Sequence, residues 1–224
     1  NVRITNNMLI TQLKQNLNTN MLNMDKYQQQ LSTCKKLNLP SDDPAALVKS
    51  LRLRSNLTEG KQYLRNINEA INFMETTDAA LNSVNQILHR VRELTVKAAN
   101  GTNDESAHDA IKEEISELND QLKMIANTTY GTKQVFAGTN VTQAPCEGDE
   151  WQGNEDLIKL EIGTGVKMPI NLNMKEFFGN PNGLDSDGNP DGGLFDLMSK
   201  LEENIDKGDL EAINGQLDDI DTKF

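Results

Sequence analysis

A mainly α fold is predicted, in which long antiparallel helices form a coiled-coil rod that carries a small β-rich inserted domain. Three observations predict it. Apolar residues recur at steps of three and four over long stretches, the spacing that keeps one helix face against a partner. Of 15 glycines, 11 fall between Gly131 and Gly193, with four of the six prolines, so turn-forming residues concentrate in one insertion. Hydrophobic residues make up 36% of the 224 and aromatics 4%, too few for a thick globular core.

The first helix carries the seam Ile10, Leu13, Leu17, Asn20, Met24, Tyr27, Leu31 and Cys34, with Asn20 as a polar residue that can fix register. Leu39-Pro40 is expected to end it, because the residue before proline avoids the α region. Asp43 then reads as an N-cap with Pro44 at the first helical position, where a missing N–H costs nothing. The second helix is expected to run about 55 residues, or ~80 Å at ~1.5 Å per residue. Its seam reads Leu57, Gly60, Leu64, Ile67, Ile71 and Met74, and shifts after Asp78 by a 3-3 step to Leu81, Val84, Leu88, Val91, Thr95 and Ala98. Asn100-Gly101 is the expected stop, with Gly101 left-handed.

Thr102-Asn103-Asp104 caps a third helix with Ile111, Ile115, Leu118, Leu122 and Ile125 on one face. The short connection makes it fold back antiparallel on the second. In the insertion, Leu157–Ile162 and Val166–Leu172 read as strands around a Gly163-Thr164-Gly165 turn, with Trp151, Phe177 and Phe178 as a small core. A last helical stretch begins at Leu194, Leu197, Leu201 and Ile205. It is interrupted at Gly208-Asp209 and resumes with Ile213, Leu217, Ile220 and Phe224. The pattern is still running at residue 224, so it is expected to continue in a longer polypeptide. The predicted organisation is a coiled-coil assembly helix (1–40), the N-terminal part of a helical rod domain (41–135), a β-rich outer domain (136–193) and a returning rod helix (194–224).

Charge and motifs narrow the function. With 22 Lys and Arg against 34 Asp and Glu, the net charge of −12 and the pI near 4.6 repel phosphate, so no nucleic-acid partner is expected. No apolar run is long enough to span a membrane, and Asn1–Asn20 lacks the apolar core of a Sec-type signal peptide. Cys34 and Cys146 are expected to be free thiols. Asp185, Asp187, Asn189, Asp191 and Asp196 have something of a calcium loop's spacing. However, Pro190 stands where that loop needs glycine, and an Asx turn is the plainer reading. His89 and His108 have no ligand cluster, and no nucleophile or phosphate-binding motif occurs, so no catalytic site, metal or cofactor is expected. Asn and Gln total 39, many on the long helices, which suits either wet, late-assembling faces or plain solubility.

Two stretches carry a family resemblance. Arg65-Asn66-Ile67-Asn68-Glu69-Ala70-Ile71 with Thr76-Thr77-Asp78-Ala79-Ala80-Leu81, and the run from Leu88 to Asn103, resemble the rod of bacterial flagellins. Three further motifs are most similar to the hook–filament junction members of that superfamily (hook-associated protein 3). They are Arg3-Ile4-Thr5-Asn6-Asn7-Met8-Leu9, Leu39-Pro40-Ser41-Asp42-Asp43-Pro44, and Tyr130 to Thr139. The resemblance implies a structural part of the flagellum, outside the cell, that joins hook to filament as a self-assembled ring and leaves without a Sec signal peptide. It implies as partners further copies of itself, a neighbouring hook-associated protein, flagellin and an export chaperone. The C-terminal helix that pairs with the Ile10–Cys34 seam in such proteins is expected beyond Phe224. By the same resemblance, an innate immune receptor would read the rod face at Arg90, Leu94 and Glu114. The alternatives are a minor filament flagellin and a secreted coiled-coil binding protein with a ligand-binding β subdomain.

Overall fold

A computed structural model describes residues 2–34, 43–101 and 104–223, with side chains from Met8 onward, Leu9 excepted. The hinge residues Leu39–Asp42, with Thr102, Asn103 and Phe224, lie outside the described residues. The chain divides into two compact units, Asn1–Gln62 and Tyr63–Phe224.

The first unit holds α1 (Val2–Thr33) and the opening stretch of α2 (Pro44–Ala98). α1 stops earlier than its proline predicts. Cys34 takes a left-handed φ of 54°, and the hydroxyls of Ser32 and Thr33 turn back to the Gln29 carbonyl, competing with the helix ladder. Cys34 therefore lies past the helix and is not part of its seam. At the start of α2 the cap is as expected: Asp43 Oδ1 accepts from Ala46 N at 3.0 Å and its carbonyl from Leu47 N at 2.9 Å.

In the second unit, the buried face of α2 is not the one expected. Ala70, Phe73, Thr77, Ala80, Val84, Ile87, Val91, Leu94 and Ala98 are buried at unbroken steps of three and four, so no 3-3 discontinuity occurs. Leu57, Leu64, Ile71 and Met74 are exposed, Met74 at 36% against 2% for Phe73. Size misled the prediction. The large aliphatic side chains point outward here, and small Ala70, Thr77 and Ala80 let the neighbouring segments approach closely. The Thr77 hydroxyl donates to the Phe73 carbonyl at 3.0 Å, so its burial leaves no orphan group. From Val84 onward the expected and observed faces coincide.

α3 (Glu105–Ala126) starts at Asp104, whose Oδ1 accepts from Ala107 N at 2.9 Å. It runs antiparallel to α2. Arg90 bonds Glu114 at 2.6 Å, and the Phe73 ring meets Tyr130 edge-on at 5.9 Å, pairs that lie about equally far from the α2–α3 turn. Gly101 does not take the left-handed conformation expected of it. α2 instead closes with Ala99 N on the Thr95 carbonyl and Asn100 N on Lys97.

β1 (Thr129–Tyr130) and β2 (Lys133–Gln134) form a short antiparallel pair, as do β3 (Lys159–Gly163) and β4 (Val166–Pro169), where Leu160 faces Met168. The rest of residues 136–193 is mostly irregular, apart from the single turn α4 (Lys175–Phe178). Its core is continuous with that of the helices. Phe178 is fully buried among Trp151, stacked at 5.6 Å, Phe136 at 5.7 Å and Phe195 of the next helix at 5.8 Å. Asn66 Nδ2 donates to the Glu161 carbonyl at 2.7 Å, tying β3 to α2.

α5 (Leu194–Lys207) and α6 (Leu210–Lys223) replace the expected single returning helix. Gly208 ends α5 with a left-handed φ of 64°, and Asp209 caps α6 by accepting from Ala212 N. The chain doubles back, because Lys223 Nζ at the end of α6 reaches the Gly192 carbonyl just before α5. Glycine is obligatory at 193, where a Cβ would come within 2.5 Å of the Gly179 backbone. Leu194, Leu197, Leu201 and Ile205 are buried, as are Ile213 and Ile220 of α6.

Candidate assembly surface

α1 presents the expected seam with no cover among the described residues. Ile10, Leu13, Leu17, Met24, Tyr27 and Leu31 are all more than half exposed, Leu13 at 66% and Leu31 at 80%. Met8, Met21 and Leu22, which the 3-4 count passed over, are exposed beside them. Full burial of each such side chain is worth ~1.5–3 kcal/mol, so the helix carries a strong drive toward a partner. In the same unit α2 exposes Val48, Leu51, Leu53 and Leu57. Patches of this size on a soluble chain mark an interaction surface.

The rod face expected at Arg90, Leu94 and Glu114 is only partly as expected. Arg90 Nε donates to Glu114 Oε1 at 2.6 Å and Nη1 to Glu93 Oε2 at 3.0 Å, all three side chains being about half exposed. Glu114 is the main reason that Arg90 holds its proton more tightly than usual. Leu94 is not on this face. At 2% exposure it lies in the core, at the heptad position it shares with Ile87. Arg92 makes a second cross-helix pair, Nε to Asp221 Oδ1 of α6 at 2.7 Å, which holds the Asp221 carboxyl below its ordinary range. Lys112 likewise pairs with Asp206 of α5.

The acidic loop binds its own backbone. Asp185 Oδ1 accepts from Asp187 N and Asn189 N, Asp191 from Asn180 N and Gly193 N, and Asp196 pairs with Lys200 at 2.7 Å. Among the described residues no cluster of His, Cys, Asp or Glu has metal-site geometry. Both cysteines are free. Burial pushes the Cys146 thiol up to about 12, which leaves it unreactive, whereas Cys34 is exposed.

One role of the asparagines was not read from the sequence. Asn127 bonds the Cys146 backbone, Asn154 caps Thr139 N and Asp156 N, Asn171 bridges Asp156 and Ile158, and Asn180 holds Trp151 N and the Leu184 carbonyl. These amides satisfy loop backbone that strands would otherwise pair. The available signal was the coincidence of asparagine with glycine and proline in residues 127–193.

The family model for the bacterial flagellin N-terminal helical region matches residues 4–141. The chain belongs to the bacterial flagellin family. This flagellin-family chain is 38% identical over 121 residues to polar flagellin F of Vibrio parahaemolyticus, covering 54% of this chain and 32% of the relative. It spans about a third of the length of the curated flagellins it matches. Its fold resembles that of a Vibrio parahaemolyticus structure described as a flagellar hook-associated protein (TM-score 0.68, 21% identity, 83% of this chain and 84% of that one). It also resembles FlgL of Bacillus cereus (TM-score 0.63, 21% identity, 79% and 83%). The helical rod with a small two-sheet strand region is thus a fold of flagellar structural proteins.

Proposed function

We propose that this chain is a junction protein of the bacterial flagellum, a structural component that connects hook to filament by assembling with copies of itself into a ring outside the cell. The observation that carries the reading is the uncovered apolar face of α1 on a flagellin-family rod, a surface that only assembly would bury. The likeness to hook-associated folds and the Leu39–Pro44 and Tyr130–Thr139 motifs favour the junction over the filament. Residues 1–40 act as the assembly helix, 41–135 and 194–224 build the rod, and 136–193 face outward. A hook-associated protein and flagellin are the neighbours, an export chaperone holds the chain beforehand, and no catalysis is involved. A receptor reading the rod would meet Arg90 and Glu114 but not Leu94, and unchanged receptor signalling by Arg90→Ala would exclude it.

Filament flagellin is the second reading, favoured by the names of the curated relatives. Immunogold labelling of intact flagella separates the two. A junction protein gives one band at the hook end, and label along the filament would replace this reading with the second. In the full-length protein, Leu13→Asp or Leu17→Asp is expected to leave export intact and abolish junction assembly. Filament-bearing, motile mutants would contradict it.

A further inference from the structure

The two units carry opposite charge. Residues 1–62 hold nine Lys and Arg against four Asp and Glu, net +5, and residues 63–224 hold 13 against 30, net −17. Within the first unit, the opening stretch of α2 presents a shallow groove of about 320 Å³ lined by Ala46, Lys49, Ser50, Leu53, Arg54 and Leu57. Leu53 and Leu57 are more than half exposed, and Lys49, Arg54 and Lys61 flank them. Within the second unit, α3 carries Glu105, Asp109, Glu113 and Glu117 at four-residue steps, all exposed and opposite its buried Ile111, Ile115, Leu118 and Leu122. None of these four carboxylates lies within ion-pair distance of a described Lys or Arg. Like charges at this spacing repel along a helix, so the stripe works against α3 unless positive charge meets it.

We propose that the leucine-and-base face of α2 between Ala46 and Lys61 docks on the acidic stripe of α3 in a second copy of this chain. Charge complementarity selects that occupant. The basic stretch Lys49–Lys61 and the acidic stretch Glu105–Glu117 each span about 18 Å at ~1.5 Å per residue, so the two can lie side by side. Every copy supplies both surfaces, so the contact is heterologous and repeats from subunit to subunit, as a ring requires. A nucleic acid or an anionic membrane could meet the bases but would be repelled by the −17 unit of the same chain. The leucines give the contact area, and the charges set its register and its sensitivity to salt. This refines the self-assembly reading above and rests on it.

Sedimentation velocity on the full-length protein near ~0.15 M salt, where the screening length is ~8 Å, tests it. All the residues altered are exposed, and far-UV circular dichroism reports any loss of fold. The variant Lys49→Glu/Arg52→Glu/Arg54→Glu and the variant Glu105→Lys/Asp109→Lys/Glu113→Lys should each weaken self-association at least about tenfold. A mixture of the two should recover association, because the reversed surfaces meet one another. The neutral set Lys49→Gln/Arg52→Gln/Arg54→Gln should fall between parent and reversal. Unchanged association in either reversal, or no recovery in the mixture, overturns this contact while leaving assembly through α1 standing. A parent protein that stays monomeric at every salt concentration overturns the self-assembly reading itself.

Discussion

The first unit and the second are built from the same kind of helix and use it oppositely. Along α2 from Ala70 to Ala98 the apolar face is buried to a few per cent exposure, against α3, α5 and the aromatic cluster around Phe178. Along α1 an equally regular face stands open to solvent. A repeat at steps of three and four therefore says that a helix has a partner, and does not say whether the partner is in the same chain. Composition of the neighbouring sequence makes that distinction. The buried stretch is followed by turns, short strands and further amphipathic helices that can fold onto it, and α1 is followed by more exposed leucine on α2.

The contrast can be broken by substitution. Phe178→Ala should cost about 3–5 kcal/mol in denaturant unfolding, because it leaves a cavity between three aromatic rings. Leu17→Ala on α1 should stay within about 0.5 kcal/mol, as for an exposed position. A large loss at Leu17 in the monomer would mean that α1 has a cover within its own chain. Phe73→Ala against Met74→Ala sharpens the register of α2: about 3–5 kcal/mol is expected for the first and under ~1 kcal/mol for the second. The reverse order would restore the Ile71–Met74 face. Removal of the α3 cap by Asp104→Ala should cost ~1 kcal/mol, read by thermal or chemical melting.

Helix existence was legible in the sequence because caps and periodicity are local. Asp43, Asp104 and the seams of α3 and α5 stand where spacing placed them. The register of α2 before residue 78 was not legible, because burial there followed the fit of Ala70, Thr77 and Ala80 to their neighbours and not side-chain size. The fold-back at Gly208 was hidden for a related reason: the periodicity resumes after it, so a hairpin and an interrupted helix read alike. The α1 stripe was legible residue by residue up to Leu31. Leu94 was misplaced because the resemblance gave a face of the rod without its depth.

The smallest expected effect concerns pH. Burial pushes the Glu202 carboxyl above its ordinary value, against the opposing pull of Lys123 and Asn119 on α3. The folded state therefore binds this proton more tightly than the unfolded one, so the ionised group costs stability at neutral pH, and protonation recovers it as pH falls. Asp221 has the opposite sign. Its carboxyl is lowered by Arg92, so its contribution is present at neutral pH and is lost as pH falls through a value below 3.8. Glu202→Gln should thus raise the melting temperature at about pH 7 and lose the advantage near pH 4, while Asp221→Asn should do the reverse.

Hydrogen–deuterium exchange on the full-length protein, as monomer and after assembly, reads the two units side by side. Backbone amides of α1 from Ile10 to Leu31 should exchange rapidly in the monomer, since a helix without packing is marginal in water. Those of Val84–Ala98 and Ile111–Leu122 should be strongly protected there, and assembly should slow α1 to comparable protection. Slow exchange of α1 in the monomer, or no slowing on assembly, would contradict the claim that its apolar face is made for other copies.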